Sequence, residues 1–191
     1  MRTFVAVPLP AECRKVLEEI QSRLRSSGAD VRWVAPSSIH ITLKFLGEID
    51  PALVPRLAEA LRSESAMQTK FSLRLQGLGG FPNLGSPRVI WCGLEGEVRQ
   101  LQQLQARVEQ ACASLGFAPE GRGFQPHLTL GRVQGKRNLQ HLLDYIRMGF
   151  AEVCAIQVDT YHVYKSTLSP RGAIYGVLET IRLRSELPGT A

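Results

Sequence analysis

The sequence predicts an α+β fold: a bilobal, pseudo-twofold arrangement of two antiparallel β-sheets flanked by helices, with a central cleft. Three observations point to it. The tetrapeptide His40-Ile41-Thr42-Leu43 returns as His127-Leu128-Thr129-Leu130, 87 positions later. Each copy follows a proline-bearing loop and is followed by a helix and two strands. No linker rich in Gly, Ser or charge separates the halves, so residues 1–184 read as one bilobal unit and residues 185–191 as a flexible tail.

The elements follow from periodicity and punctuation. Thr3–Val7 is a β-prone run ahead of Pro8-Leu9-Pro10. Cys13, Val16, Leu17, Ile20 and Leu24 recur at helical spacing from Ala11 to Ser27, and Gly28 stops that helix. Val31–Val34 is a short strand, and Ile39–Leu46 a longer one after the break at Pro36-Ser37-Ser38. Asp50-Pro51 offers an N-cap and a first-turn proline to a helix that runs to about Ser65. Phe71–Leu75 alternates as a strand, Gly77–Pro87 reads as a turn-rich loop, and Arg88–Gly93 is again a strand. A helix from Glu97 to Leu115 ends at Gly116. An arm with Pro119, Gly121 and Gly123 leads into the strand of the second motif. Asn138 is placed to cap a helix through Met148, and Phe150–Tyr164 and Ile174–Leu183 supply long strands.

Composition narrows the class. With 44% hydrophobic and 21% charged residues in 191, the chain is globular, not disordered. No stretch approaches the roughly 20 apolar residues of a membrane span, and the first residues read as a strand, not a leader, so the expected compartment is the cytoplasm. Cys13, Cys92, Cys112 and Cys154 form no C-x-x-C pair and sit among apolar neighbours. All four are expected to be buried thiols without a disulfide. The net charge of +6 suits a polyanionic partner but equally serves solubility.

The repeated tetrapeptide carries the chemistry. Strand side chains alternate, so Ile41 and Leu43 enter the core while His40 and Thr42 face the other way. The same holds for His127 and Thr129. An approximate twofold axis would bring both polar pairs to one cleft. Two imidazoles with ordinary pKa values near 6.5 can divide the labour of general base and general acid at neutral pH, and two hydroxyls suit non-bridging phosphate oxygens. In-line phosphodiester cleavage needs a base and an acid on opposite sides of phosphorus, without a metal or cofactor. There is no zinc-ligand cluster, P-loop or nucleophile elbow. Five positions beyond the histidines stand Phe45 and Arg132. Arg132 can hold phosphate oxygens through its fork of donors. Phe45 can stack a base, with core burial the plainer alternative, and Lys44 can add charge at the rim or stand solvated. His141 reads as a solvated helix residue, and His162 as a strand-surface histidine that could contact substrate.

These pieces, with Val31-Arg32-Trp33-Val34, Gly80-Phe81-Pro82, Pro87-Arg88-Val89-Ile90-Trp91 and Tyr164-Lys165-Ser166, are similar to those of one family. The chain resembles the bacterial and archaeal RNA 2′,3′-cyclic phosphodiesterases, also called 2′-5′ RNA ligases, of the two-histidine (2H) phosphoesterase superfamily. The resemblance implies that His40 is the proton donor, His127 the proton acceptor, Thr42 and Thr129 the motif hydroxyls and Arg132 the family arginine. Gly131 departs from an expected alanine, a change that should loosen its strand slightly. The implied reaction is hydrolysis of RNA 2′,3′-cyclic phosphate ends, tRNA fragments among them, to 2′-phosphomonoesters. Reversible ATP-independent 2′-5′ joining is implied too. A monomer that acts without a membrane is expected. The enzymatic alternative is a 2H phosphoesterase acting on small cyclic nucleotides or ADP-ribose 1″,2″-cyclic phosphate. The non-enzymatic alternative is an RNA-binding module, which loss of one motif histidine would mark; both are present.

Overall fold

The computed structural model describes residues 1–121, 123–151, 154–169 and 172–185. The chain runs β1 (Arg2–Val7), α1 (Ala11–Arg25), β2 (Val31–Trp33), β3 (Ile41–Glu48), α2 (Val54–Glu64), β4 (Phe71–Phe81), β5 (Val89–Gly96), α3 (Val98–Ala113), β6 (His127–Val133), α4 (Leu139–Met148), β7 (Ala155–Val158), β8 (Thr160–Ser169) and β9 (Gly172–Arg182). Two sheets form, β3-β1-β8-β9 and β2-β6-β5-β4-β7, with antiparallel ladders throughout. The predicted α+β class with two antiparallel sheets and flanking helices is therefore the observed one.

The lobes are not the two halves of the chain. The first motif strand, β3, shares its sheet with β8 and β9, which follow the second motif. The second motif strand, β6, shares its sheet with β4 and β5, which follow the first. Each motif strand thus pairs with a strand that precedes it, β1 or β5, and the hairpins are exchanged. The exchange divides the predicted strand Phe150–Tyr164. Ala155–Val158 joins one sheet, Asp159 turns the chain, and β8 begins in the other. Of the predicted tail, only Ser185 lies within the described residues.

Helices cover the sheets with their apolar stripes. In α1 the buried positions are Cys13, Leu17, Ile20, Gln21 and Leu24, and in α3 Leu101, Leu104, Val108, Ala111 and Cys112. Both sets recur at the i, i+3, i+4 spacing of one helix face. The Asp50 side chain accepts from the Ala52 amide at 2.9 Å, as the N-cap pattern predicts. Asn138 does not cap α4 through its side chain. Its Nδ2 donates to the Gly28 carbonyl at 3.2 Å and ties α4 to the end of α1. No helix among the described residues is long and apolar enough to cross a membrane.

Three further expectations are corrected. The glycine run after Leu75 is not a loop: β4 continues to Phe81. Gly77, at φ 68°, absorbs a bulge, and Gly79 provides a flat seat for Trp91, whose ring lies 2.2 Å from where a Cβ would stand. Cys13 and Cys154 are joined in a disulfide with Cα atoms 5.5 Å apart, pinning α1 to the start of β7, while Cys92 and Cys112 are buried free thiols. The partners are 141 residues apart, so spacing gave no signal. Gly131 is no loosening defect. A Cβ there would stand 2.6 Å from Val31 Cγ1 and 3.0 Å from Trp33 Cε3, so β2 lies directly against it.

Candidate active site

Both motif histidines are held in one way. His40 Nδ1 lies 2.9 Å from the Ser38 carbonyl, and His127 Nδ1 lies 2.7 Å from the Gln125 carbonyl. A carbonyl can only accept, so each Nδ1 carries the proton and each Nε2 is left for exchange. The loops that supply these carbonyls contain Pro36 and Pro126. The hydroxyls of Thr42 and Thr129 are half-buried and make no hydrogen bond among the described residues.

Strict alternation would place the residues four beyond each histidine, Lys44 and Gly131, on the face of the imidazoles. A bulge in each strand prevents this. In β3 the register runs Ala6 opposite Thr42 and then Val5 opposite Lys44, leaving Leu43 as the extra residue. In β6 it runs Trp91 opposite Thr129 and then Ile90 opposite Gly131, leaving Leu130 extra. Each bulge turns two consecutive residues inward and returns the fifth, Phe45 or Arg132, to the motif face. The carbonyl of each extra residue accepts from a glutamine, and that of Leu130 also accepts from the Val34 amide at 2.9 Å. Gln105 of α3 donates to Leu43 O at 3.5 Å, and Gln21 of α1 donates to Leu130 O at 2.8 Å. The pseudo-symmetry extends to this supporting layer.

Lys44 is accordingly not at the rim. It is 6% exposed, and its ammonium donates to Glu109 Oε2 and to the Ala118 carbonyl, both at 2.8 Å. It pins the arm leading to the second motif, so its candidacy for substrate binding is withdrawn. Phe45 is 62% exposed, contrary to the core reading. Arg132 is exposed and makes no ion pair among the described residues. Arg32 of β2 stands directly opposite it in the ladder. Two like charges set across from each other are unfavourable without an anion between them.

An aromatic floor, not legible in the sequence, surrounds His40. Phe4 stacks on its ring at 4.7 Å, Tyr175 meets it edge-on at 5.3 Å, and Tyr164 stacks on Phe4 at 5.1 Å. Burial against these rings pulls the His40 pKa down to about 4, and the Ser38 hydrogen bond offsets only part of the effect. Burial raises the Tyr175 pKa, while the Arg2 and Arg132 charges pull it back. Arg132 of one sheet therefore reaches the environment of Tyr175, a neighbour of His40 in the other. On the second lobe Phe81 meets His127 edge-on at 4.9 Å and packs on Trp91 at 5.4 Å. His162 lies farther along the first sheet, its Nδ1 3.0 Å from Thr180 Oγ1 and its pKa lowered by burial. His141 lines a separate hollow between α1 and α4. Among the described residues no group of three or more His, Cys, Asp or Glu could hold a metal ion.

A fold of two exchanged lobes, each presenting a His-x-Thr strand with its imidazole held by a carbonyl two residues back, is the framework of a two-histidine phosphoesterase. The family model of the LigT-like phosphoesterases matches residues 7–91 and 93–175, one stretch around each motif. The chain belongs to this family. It is 35% identical to the RNA 2′,3′-cyclic phosphodiesterase of Methanothermobacter thermautotrophicus over 96% of this chain and 99% of that protein. It is 34% identical to the protein of the same name from Aeropyrum pernix, over 88% and 96% respectively. A crystal structure from Thermus thermophilus superimposes with a TM-score of 0.76 at 31% identity, covering 98% of this chain and all of that one. Escherichia coli LigT complexed with 3′-AMP gives a TM-score of 0.75 at 27% identity, covering 95% of this chain and 97% of that one.

Proposed function

We propose that this protein hydrolyses RNA 2′,3′-cyclic phosphate ends to 2′-phosphomonoesters, with His127 as general base and His40 as general acid. The observation that carries the reading is the twin arrangement of the imidazoles, each with Nδ1 committed to a carbonyl two residues back. His127 Nε2 takes a proton from water as its oxygen attacks phosphorus. The bond from phosphorus to the 3′ oxygen breaks, and His40 Nε2–H protonates that oxygen. Thr42 and Thr129 donate to non-bridging oxygens, Arg132 binds the phosphate, and Phe45 stacks the terminal base. The cycle uses no metal ion and no cofactor.

The low pKa of His40 leaves it neutral in the empty cleft at pH 7. A bound phosphate anion raises it, so His40 takes up its proton together with the substrate. This same pKa favours a second reading, with the roles of the two histidines reversed. The two readings differ in which ring oxygen departs. The reverse reaction, with a 5′-hydroxyl in place of water, would join RNA ends through a 2′-5′ linkage without ATP. We place the work of this enzyme, as a monomer, on cytoplasmic RNA such as tRNA fragments.

The test is turnover of an oligonucleotide with a cyclic phosphate end, in EDTA. His40→Ala and His127→Ala should each lose roughly 10²–10⁴ in rate, while His141→Ala keeps wild-type turnover. A folded variant of either motif histidine with near-full activity would overturn the assignment. So would loss of wild-type turnover in EDTA that Zn²⁺ or Mn²⁺ restores.

A further inference from the structure

We propose that the cavity beside Phe45 binds the nucleotide on the 5′ side of the cyclic phosphate, making the protein selective for RNA ends over free cyclic nucleotides. This rests on the reading that His40 and His127 act on the cyclic phosphate.

The cavity holds about 200 Å³ and is walled chiefly by Arg2, Phe4, Phe45, Ser166, Leu168 and Tyr175. It adjoins the candidate acid, because two of its walls, Phe4 and Tyr175, contact His40 at 4.7 and 5.3 Å. A cyclic phosphate closes the 3′ end of a strand, so the chain can leave the histidines only in the 5′ direction. Phe45, the residue assigned to the terminal base, forms one wall of the cavity.

Its chemistry fits a nucleotide. Arg2 supplies a guanidinium with no ion pair among the described residues. Glu48 stands opposite Arg2 in the ladder, yet its carboxylate is 2.9 Å from the Met1 ammonium. The Ser166 hydroxyl, also without a hydrogen bond among the described residues, adds a neutral donor. These two groups suit the oxygens of a phosphodiester. Phe45 and Tyr175 offer ring surfaces, and Leu168, 72% exposed, offers an apolar edge. Charge for the backbone beside aromatic surface for the base is how single-stranded nucleic acid is bound. A free cyclic mononucleotide brings its base to Phe45 but has no 5′ phosphodiester to set against Arg2 and Ser166.

Two substrates test the proposal: a nucleoside 2′,3′-cyclic phosphate and a dinucleotide ending in the same cyclic nucleotide. Wild-type kcat/KM should favour the dinucleotide about tenfold or more, the worth of one stacked base with its phosphate contact. Arg2→Gln should bring the ratio of the two values close to one, and Ser166→Ala should reduce it. A wild-type ratio near one, or a ratio untouched in Arg2→Gln, overturns the proposal. Binding is measured in parallel by calorimetry, comparing a dinucleotide with a terminal 3′-monophosphate against the nucleoside 3′-monophosphate. If neither cyclic substrate turns over but the dinucleotide binds tighter through Arg2, the catalytic reading falls and the cavity assignment stands. Equal binding of the two monophosphates overturns the cavity assignment whatever the turnover.

Discussion

Protonating His40 should destabilise the fold, by an amount that its surroundings set. In the native protein its ring is pressed against Phe4 and Tyr175, and burial holds its pKa at about 4. In the unfolded chain the value returns to about 6.5. Between those two values the unfolded state binds the proton and the native state does not. The contribution of His40 is therefore fully present above pH 6.5, is lost as pH falls from 6.5 to 4, and changes no further below 4. Each pH unit in that window is worth about 1.4 kcal/mol, so the loss is about 3 kcal/mol. His40→Asn removes the titration and keeps a hydrogen-bonding side chain. Urea unfolding of both proteins at about pH 7.5 and about pH 4 isolates the effect, because all other groups titrate in both. Wild type should lose about 3 kcal/mol more than the variant across that range. Equal losses would show that the ring is not desolvated and would remove the basis for proton uptake on substrate binding.

Other perturbations bear on single features. Arg132→Ala should weaken inorganic phosphate binding more than Arg132→Lys, since lysine keeps the charge and loses the fork; equal defects would count against bidentate contact. Gly131→Ala should lower stability by about 1–3 kcal/mol by overpacking against Val31, read as a lower urea midpoint; an unchanged midpoint would mean that β2 yields freely. Reducing the Cys13–Cys154 bridge should cost about 2–5 kcal/mol, seen as a lower Tm in dithiothreitol that Cys13→Ala abolishes; a Tm indifferent to reductant would contradict a stabilising bridge.

The motif itself was legible because its signal is local. Two His-x-Thr strands with apolar residues between the polar ones need only period-two alternation, and their repetition implied two sheets. What alternation missed lay where the period breaks. Leu43 and Leu130 each add one residue, which sends Lys44 into the core and brings Phe45 to the surface beside the cleft. Nothing in Leu-Lys-Phe or Leu-Gly-Arg marks a bulge, since the side chains that bond the carbonyls of the extra residues, Gln105 and Gln21, come from distant helices. Long-range choices were silent for the same reason. Asp159 passes the chain from one sheet to the other within a run that reads as continuous strand, and Phe4, Tyr164 and Tyr175 meet around His40 only through that exchange. The glycines of β4 read as turn residues, yet Gly79 is needed because Trp91 occupies the place of its side chain.

Identity of the product tests the two-histidine account most directly. An RNA oligonucleotide with a 2′,3′-cyclic phosphate end is incubated with the protein in EDTA, and the position of the resulting phosphomonoester is determined. With His40 as the acid and His127 as the base, one ring oxygen leaves, and the product carries only a 2′-phosphate and a free 3′-hydroxyl. A pure 3′-phosphate would contradict that assignment and favour the reversed roles. A mixture, or no product at all, would contradict a cleft that holds the phosphate between one acid and one base.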